Sequence, residues 1–260
     1  MKEIFVQGKT LPDAYHKAIL ALHKDGDILT CNDWNQLQKE VSMTFEAQEP
    51  LAEPMISRLY IGGFHELQQY VMEVLDGILD FKIGDGNCWE YTYHDRLVNY
   101  QGRFNQIEFI IEELKRSFDS RRAVAVVRDN DVDPFNSHPA CLQYIQCFIR
   151  GGKLQCKVLM RSNDAPEATF MNAFAFIMLQ KYIASQVGVP MGSYVHRANS
   201  FHCYQKDFAL LEQYADGITK KPVADITYNY EEFYKGLMDE SVPDIMKMVG
   251  GLTRSDEPNV

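Results

Sequence analysis

Residues 137–164 read SHPACLQYIQCFIRGGKLQCKVLMRSND. Two runs rich in β-branched, aromatic and other apolar residues, CLQYIQCFIR and KLQCKVLMR, flank Gly151-Gly152. Paired glycines supply the positive φ angles of a tight turn, so this spacing predicts a β-hairpin. The stretch also holds three of the chain's six cysteines. Cys147 and Cys156 fall among Ile, Phe, Val and Leu, where a cysteine is usually a small buried hydrophobe. Cys141 follows the polar loop SHPA, at the lip of a strand near solvent and near arginines, where a low-pKa thiolate can exist. On these residues alone, the structural and the catalytic readings of Cys141 both stand.

Outward from the hairpin, residues 11–24 (LPDAYHKAILALHK) place apolar side chains at helical spacing behind a Pro and an Asp. Residues 35–47 alternate as a strand, and 64–81 (FHELQQYVMEVLDGILDF) read as a helix ending near Gly77. The Gly, Asp and Asn content of 82–103 predicts a loop carrying WEYTYHDR, with a helix at 104–117 after it. RRAVAVVRD is a short β-type run before another loop. Residues 169–188 (TFMNAFAFIMLQKYIASQVG) are apolar nearly all round, the pattern of a buried central helix stopped by Gly188 and Pro190. With no repeat at a fixed period, the expectation is one α+β domain over residues 1–260 with a sizeable sheet.

Composition narrows the function classes. The 260 residues are 46% hydrophobic and 24% charged, an ordinary globular balance. A formal net charge of −10 argues against a general nucleic-acid surface. No apolar run reaches the roughly 20 residues of a membrane span, and MKEIFVQGKT lacks the order of a secretory signal, so a cytoplasmic protein with free thiols is expected. No Cys or His spacing suits a zinc site. An anionic ligand would need a local Arg cluster, and SRR at 120–122 with RS at 161–162 provides the composition of a phosphate clamp. Asn172, in the middle of the apolar helix, needs a hydrogen-bond partner, protein or ligand, if it is buried.

Taken together, DSRR, the Pro-containing loop before Cys141, GGKLQCKVLMRSND, the helix with Asn172, and HRANSFHCY resemble thymidylate synthase and its relatives, the pyrimidine nucleotide C5-hydroxymethylases. The resemblance covers roughly residues 104–207. It implies a thymidylate synthase-like fold, a large central β-sheet flanked by helices, with a sheet face forming a dimer interface. It further implies that Cys141 is the nucleophile toward C6 of the pyrimidine, and that Arg161 and Ser162 bind the phosphate. Arg121 and Arg122 would reach the phosphate from the other subunit of a homodimer. His202 and Tyr204 match the His-x-Tyr of the sugar hydroxyl, Asp164 the aspartate on the pterin-like ring, and Asn172 the asparagine that distinguishes uracil from cytosine. Glu73, with Glu66 as a rival, is similar to the helix glutamate that organises proton transfers. Tyr91, with Arg96 after it, is similar to the tyrosine of a YGxxxR motif. The implied co-substrate is 5,10-methylene-tetrahydrofolate.

Departures bear on the product. The usual Pro-Cys-His is here PACL, and Met160 replaces the glutamine before Arg-Ser, as in phage cytidylate hydroxymethylases. Ala168, in DAPEA, stands where the family usually has Gly. Residues 24–34 contain no counterpart of an RTGTGT-like loop, the tryptophans are Trp34 and Trp89 alone, and SDEPNV lacks an apolar closing tail. The resemblance therefore implies a homodimeric methyltransferase acting on the pyrimidine nucleotide monophosphate dUMP, with a hydroxymethylase of dUMP, dCMP or CMP as a close second. A different class is a nucleotide-binding protein that kept the phosphate clamp and lost catalysis.

Overall fold

The computed structural model describes residues 1–84 and 89–255. Its strands are β1 (Glu3–Gly8), β2 (Asp27–Cys31), β3 (Gln36–Ala47), β4 (Ile56–Ser57), β5 (Val124–Val126), β6 (Leu142–Arg150), β7 (Lys153–Asp164), β8 (Met191–Tyr204) and β9 (Thr227–Tyr228). The α-helices are α1 (Leu11–Asp25), α2 (Phe64–Leu75), α3 (Tyr93–Val98), α4 (Gln106–Arg116), α5 (Thr169–Val187), α6 (Phe208–Lys220) and α7 (Lys235–Ser255). Seven strands form one mixed sheet in the order β1-β3-β8-β7-β6-β5, with β2 also paired to β3, while β4 and β9 form a small separate pair. The fold is mixed α+β, as the pattern of elements predicts.

The β6–β7 hairpin is at the heart of the sheet. Gly151 and Gly152 take φ of 59° and 74°, conformations open to glycine at no steric cost, and they set the antiparallel register Cys147↔Cys156. Both cysteines are buried, so their assignment to packing holds. β7 next runs parallel to β8. Parallel neighbours need a crossover, and α5 supplies it. α5 is buried because it is apolar nearly all round, and it ends where Gly188 turns left-handed at φ 82°. The register of β7 with β8 sets Ser162 opposite Ser200 and Asp164 opposite His202. Two motifs nearly forty residues apart in the chain thus lie side by side.

One face of the sheet packs against helices including α1 and α5. Along β7, Leu154, Cys156, Val158 and Met160 are buried, while Gln155, Lys157 and Leu159 between them are partly or fully exposed. No helix among the described residues is long and apolar enough to cross a membrane.

The structure corrects several local expectations. The predicted loop 82–103 contains α3, whose start is capped by Thr92 accepting from the Asp95 N–H at 3.0 Å. Six helical residues are too few for periodicity to register. Of RRAVAVVRD only Val124–Val126 join the sheet. α2 ends near Gly77 as expected: it stops at Leu75, and Gly77 follows at φ 65°, where an added Cβ would lie 2.2 Å from His94 Nδ1. β1, β2, β8, α6 and α7 have no counterpart in the sequence expectations. The tail SDEPNV lies almost wholly outside the described residues.

Candidate active site

Cys141 sits in the residue before β6, half-buried, where two cavities meet. The larger, about 1050 Å³, has Trp34, His138, Arg161, Ser162, His202 and Tyr204 on its walls. The smaller, about 380 Å³, adds Tyr70, Asp164 and Asn172, and shares Cys141, Ser162, His202 and Tyr204 with the first. A third, about 320 Å³, is lined by Glu73, Trp89 and Tyr91; it borders the second through Tyr70 and Tyr93 and the first through Tyr91 and His138. Nine of the eleven residues singled out from sequence thus converge on one cleft.

Strand pairing fixes the thiol beside the guanidinium. The Arg161 N–H donates to the Cys141 carbonyl at 2.7 Å, and the Arg161 side chain donates through Nε to the Ala140 carbonyl (3.1 Å) and through Nη2 to the Pro139 carbonyl (2.7 Å). The loop ahead of the cysteine is therefore tied to the arginine itself. Burial pushes the Cys141 thiol above the ordinary range, and nearby Arg161 only partly offsets this. The expectation of a depressed thiol pKa is corrected: in the free chain desolvation wins.

His202 and Tyr204 present their rings edge to face at 4.7 Å. Burial lowers the His202 pKa, so the imidazole is neutral at physiological pH. Asp164 ends β7 and accepts from the Glu167 N–H at 3.0 Å. Burial raises its pKa to about 7, against that backbone hydrogen bond. Carboxylate oxygens of Asp164, Glu167 and Asp207 come within 4.8 Å of one another, and the Lys206 ammonium lies on Glu167 at 2.9 Å and on Asp207 at 3.3 Å.

Asn172 has protein partners at both ends of its carboxamide: Oδ1 accepts from Asn163 Nδ2 at 2.8 Å, and Nδ2 donates to the Tyr70 hydroxyl. Glu73 lines the third cavity, where burial raises its pKa against the hydrogen bond from Gln69 Nε2 at 2.8 Å. Its rival Glu66 instead caps α2, accepting from the Gly63 N–H at 2.8 Å. Burial raises the Tyr91 hydroxyl to about 12, and the Arg96 guanidinium stands 5.6 Å from its ring.

Arg121 and Arg122 are the exceptions, since neither lines the cleft of its own chain. Arg122 Nε donates to Glu113 Oε1 at 3.1 Å, with its side chain 70% exposed. Hydrogen bonds from Ser120 and Arg116 hold Glu113 down to about 2.

Trp34, His138, Tyr70 and Tyr93 are among the wall residues that carry no assignment from sequence. Trp34, at the β2–β3 turn, stacks on His138 at 6.2 Å and meets Tyr204 edge-on at 6.4 Å. The hairpin 27–38 thus occupies the cleft rim, bringing Asn32, Asp33 and Trp34 and no arginine. The run CNDWN, dense in turn formers, was the available signal. Tyr70 and Tyr93 complete the wall between the second and third cavities, and Tyr93 Oη accepts from the Leu142 N–H at 3.3 Å.

The family model for thymidylate synthase matches residues 64–246. The chain belongs to the thymidylate synthase family. Among thymidylate synthase relatives, a protein of Methanocaldococcus jannaschii, provisionally named a thymidylate synthase, is 33% identical over 219 residues, covering 80% of this chain and 95% of the relative. A similarly named protein of Methanosarcina barkeri is 27% identical, covering 82% and 95%. Thymidylate synthase of Bacillus licheniformis is 28% identical over 145 residues, 55% of this chain and 49% of the relative. The thermostable thymidylate synthase A of Bacillus subtilis superposes with a TM-score of 0.62 over 80% of this chain and 84% of the other, at 17% identity. Membership of the thymidylate synthase family makes the protein a one-carbon transferase.

Proposed function

We propose that this transferase methylates C5 of dUMP with the methylene carbon of 5,10-methylene-tetrahydrofolate, through a covalent adduct of Cys141 at C6. The observation that carries the reading is the position of Cys141, on the wall shared by the Arg161–Ser162 cavity and the Asn172–Asp164 cavity. A nucleotide with its phosphate at Arg161 and Ser162 and its sugar hydroxyl at His202 and Tyr204 has its base beside the thiol and Asn172.

Addition of the deprotonated Cys141 sulfur to C6 moves the ring electrons toward C5 and O4, and C5 becomes the nucleophile for the methylene carbon. Loss of the C5 proton, cleavage of the bond between the methylene carbon and the donor nitrogen, hydride delivery to that carbon and elimination of the sulfur complete the substitution. Glu73, with its pKa raised by burial, suits proton exchange near O4, and Tyr91 stands beside the thiol. The cleft also suits a pterin-like ring: Trp34, His138 and Trp89 offer aromatic faces, and Asp164 offers a carboxyl group to ring N–H donors. The donor supplies the one-carbon unit and the hydride of the last step.

Hydroxymethylation of dUMP, dCMP or CMP is the second reading, favoured by Met160. That departure has a partner. Leu142 and Met160 are cross-strand neighbours and both fully buried, so an apolar pair stands beside Cys141 where the family pattern has histidine and glutamine. A drier wall favours hydride transfer over attack by water.

The sheet face that the helices leave open supports a homodimer in which Arg121 and Arg122 serve the partner's cleft. Mass spectrometry of nucleotides after incubation with dUMP, dCMP, UMP, CMP and methylene-tetrahydrofolate tests the whole reading. Methyl gain on dUMP is expected; hydroxymethyl gain on any nucleotide would replace it with the second reading, and nucleotide binding with no product would favour the binding-only class.

A further inference from the structure

A line of hydrogen bonds runs from the interior of the sheet to the cleft. The Tyr194 hydroxyl meets His196 Nδ1 at 2.8 Å, and His196 Nε2 meets Asn163 Oδ1 at 2.8 Å. Asn163 Nδ2 donates to Asn172 Oδ1 at 2.8 Å, and Asn172 Nδ2 donates to the Tyr70 hydroxyl. Tyr194 and His196 are fully buried, Asn163 is 3% exposed and Asn172 7%. Phe45 lies flat against the His196 imidazole, at 4.7 Å and 10°.

We infer that Tyr194, His196 and Asn163 are positioning residues that fix which end of the Asn172 carboxamide faces the nucleotide base, and so favour a 4-oxo over a 4-amino pyrimidine. This rests on the nucleotide reading above and adds the device that sets its base preference.

The direction of the chain follows from its inner end. His196 is held neutral by burial, so it carries one N–H and one acceptor. Among the described residues, His196 Nδ1 is the one hydrogen-bond partner of the Tyr194 hydroxyl. If His196 Nδ1 carried the proton, the buried Tyr194 O–H would have no acceptor, which is costly. With Tyr194 donating, His196 carries its proton on Nε2 and donates to Asn163 Oδ1. Asn163 Nδ2 then donates to Asn172 Oδ1. Every donor points the same way, toward the cleft. The Asn172 Nδ2 and the Tyr70 O–H, both on cavity walls, are left as donors there. Two donors suit the O4 of uracil and oppose the N4 amino group of cytosine.

The test is calorimetric titration of the full chain with dUMP and with dCMP at about pH 8, above the ordinary carboxylate range. Wild-type protein should prefer dUMP. Asn163→Asp puts a carboxylate oxygen against Asn172 Oδ1 and should turn the carboxamide round, lowering the dUMP:dCMP affinity ratio by about tenfold. Tyr194→Phe keeps the ring, removes only the locking hydroxyl, and should lower the ratio by about threefold. It carries the test if Asn163→Asp does not fold. A purely structural role would lower the melting temperature or weaken both nucleotides equally. Wild-type preference for dUMP with the ratio unchanged in the variants overturns this inference alone. Binding of neither nucleotide by wild type overturns the nucleotide reading and this inference with it.

Discussion

The backbone N–H of Arg161 donates to the carbonyl of Cys141 at 2.7 Å, so β-sheet pairing holds the phosphate-type arginine and the nucleophile-type cysteine in one register. The arginine side chain ties down the carbonyls of Pro139 and Ala140 as well. Arg161→Ala should therefore do more than remove a positive charge. It should weaken dUMP binding by about 2–3 kcal/mol, the scale of a charge-assisted hydrogen bond. It should also raise the Cys141 pKa further, which the pH dependence of thiol alkylation measures. Arg161→Lys keeps the charge but not the fork, and should recover the pKa more than the affinity.

Asn172→Asp replaces the donor facing Tyr70 by an acceptor. Relative rates on dUMP and dCMP should move toward dCMP, with the largest loss on dUMP. Unchanged relative rates would remove Asn172 from base selection.

Asp164 predicts a pH-dependent stability. Its folded-state pKa is raised from 3.8 to about 7 by burial, so between these values the folded chain holds a proton the unfolded chain has released. Stability from this group is present below pH 3.8 and is lost as pH rises toward 7. Asp164→Asn should raise the melting temperature most above pH 7, by at most roughly 4 kcal/mol in stability, and the gain should shrink steadily as pH falls to 4. A gain independent of pH would contradict the burial of an ionisable Asp164.

If Arg121 and Arg122 serve the partner's cleft, two inactive variants should rescue each other. Cys141→Ser mixed with the Arg121→Ala, Arg122→Ala double variant, after subunit exchange, forms hybrids with one complete site. Random assortment of a symmetric dimer predicts roughly a quarter of wild-type activity. No recovery, with exchange shown by mass, would confine each site to one chain.

The parts of this site legible in the sequence were those written in local patterns. Gly151-Gly152 between two apolar runs announced the hairpin because only a tight turn needs such a pair. Cys141, Arg161, Ser162, Asp164, Asn172, His202 and Tyr204 were found because the family motifs are short and ordered. Trp34 and Tyr70 escaped because a distant hairpin and a distant helix bring them to the cleft only through packing. Tyr70 lies 102 residues from Asn172, which donates to it. Spacing to Gly77 left Glu73 and Glu66 as rivals, because capping is not written in spacing: Gly63-x-x-Glu66 opens a helix, and the Glu66 carboxylate accepts from that N-terminus while Glu73 lines the third cavity. The thiol's raised pKa was illegible because it depends on desolvation, a sum over neighbours from many segments, whereas the proximity of Arg161 could be read from the motif.

The central claim, that Cys141 adds to C6 of a pyrimidine nucleotide, is tested most directly by hydrogen exchange at C5 of dUMP, followed by mass spectrometry in deuterated water with methylene-tetrahydrofolate withheld. Addition at C6 makes C5 basic, so wild-type protein should exchange that hydrogen. Cys141→Ser should not exchange it while binding dUMP nearly as well, because a serine hydroxyl is a far poorer nucleophile at neutral pH. Exchange that persists in Cys141→Ser would contradict the account.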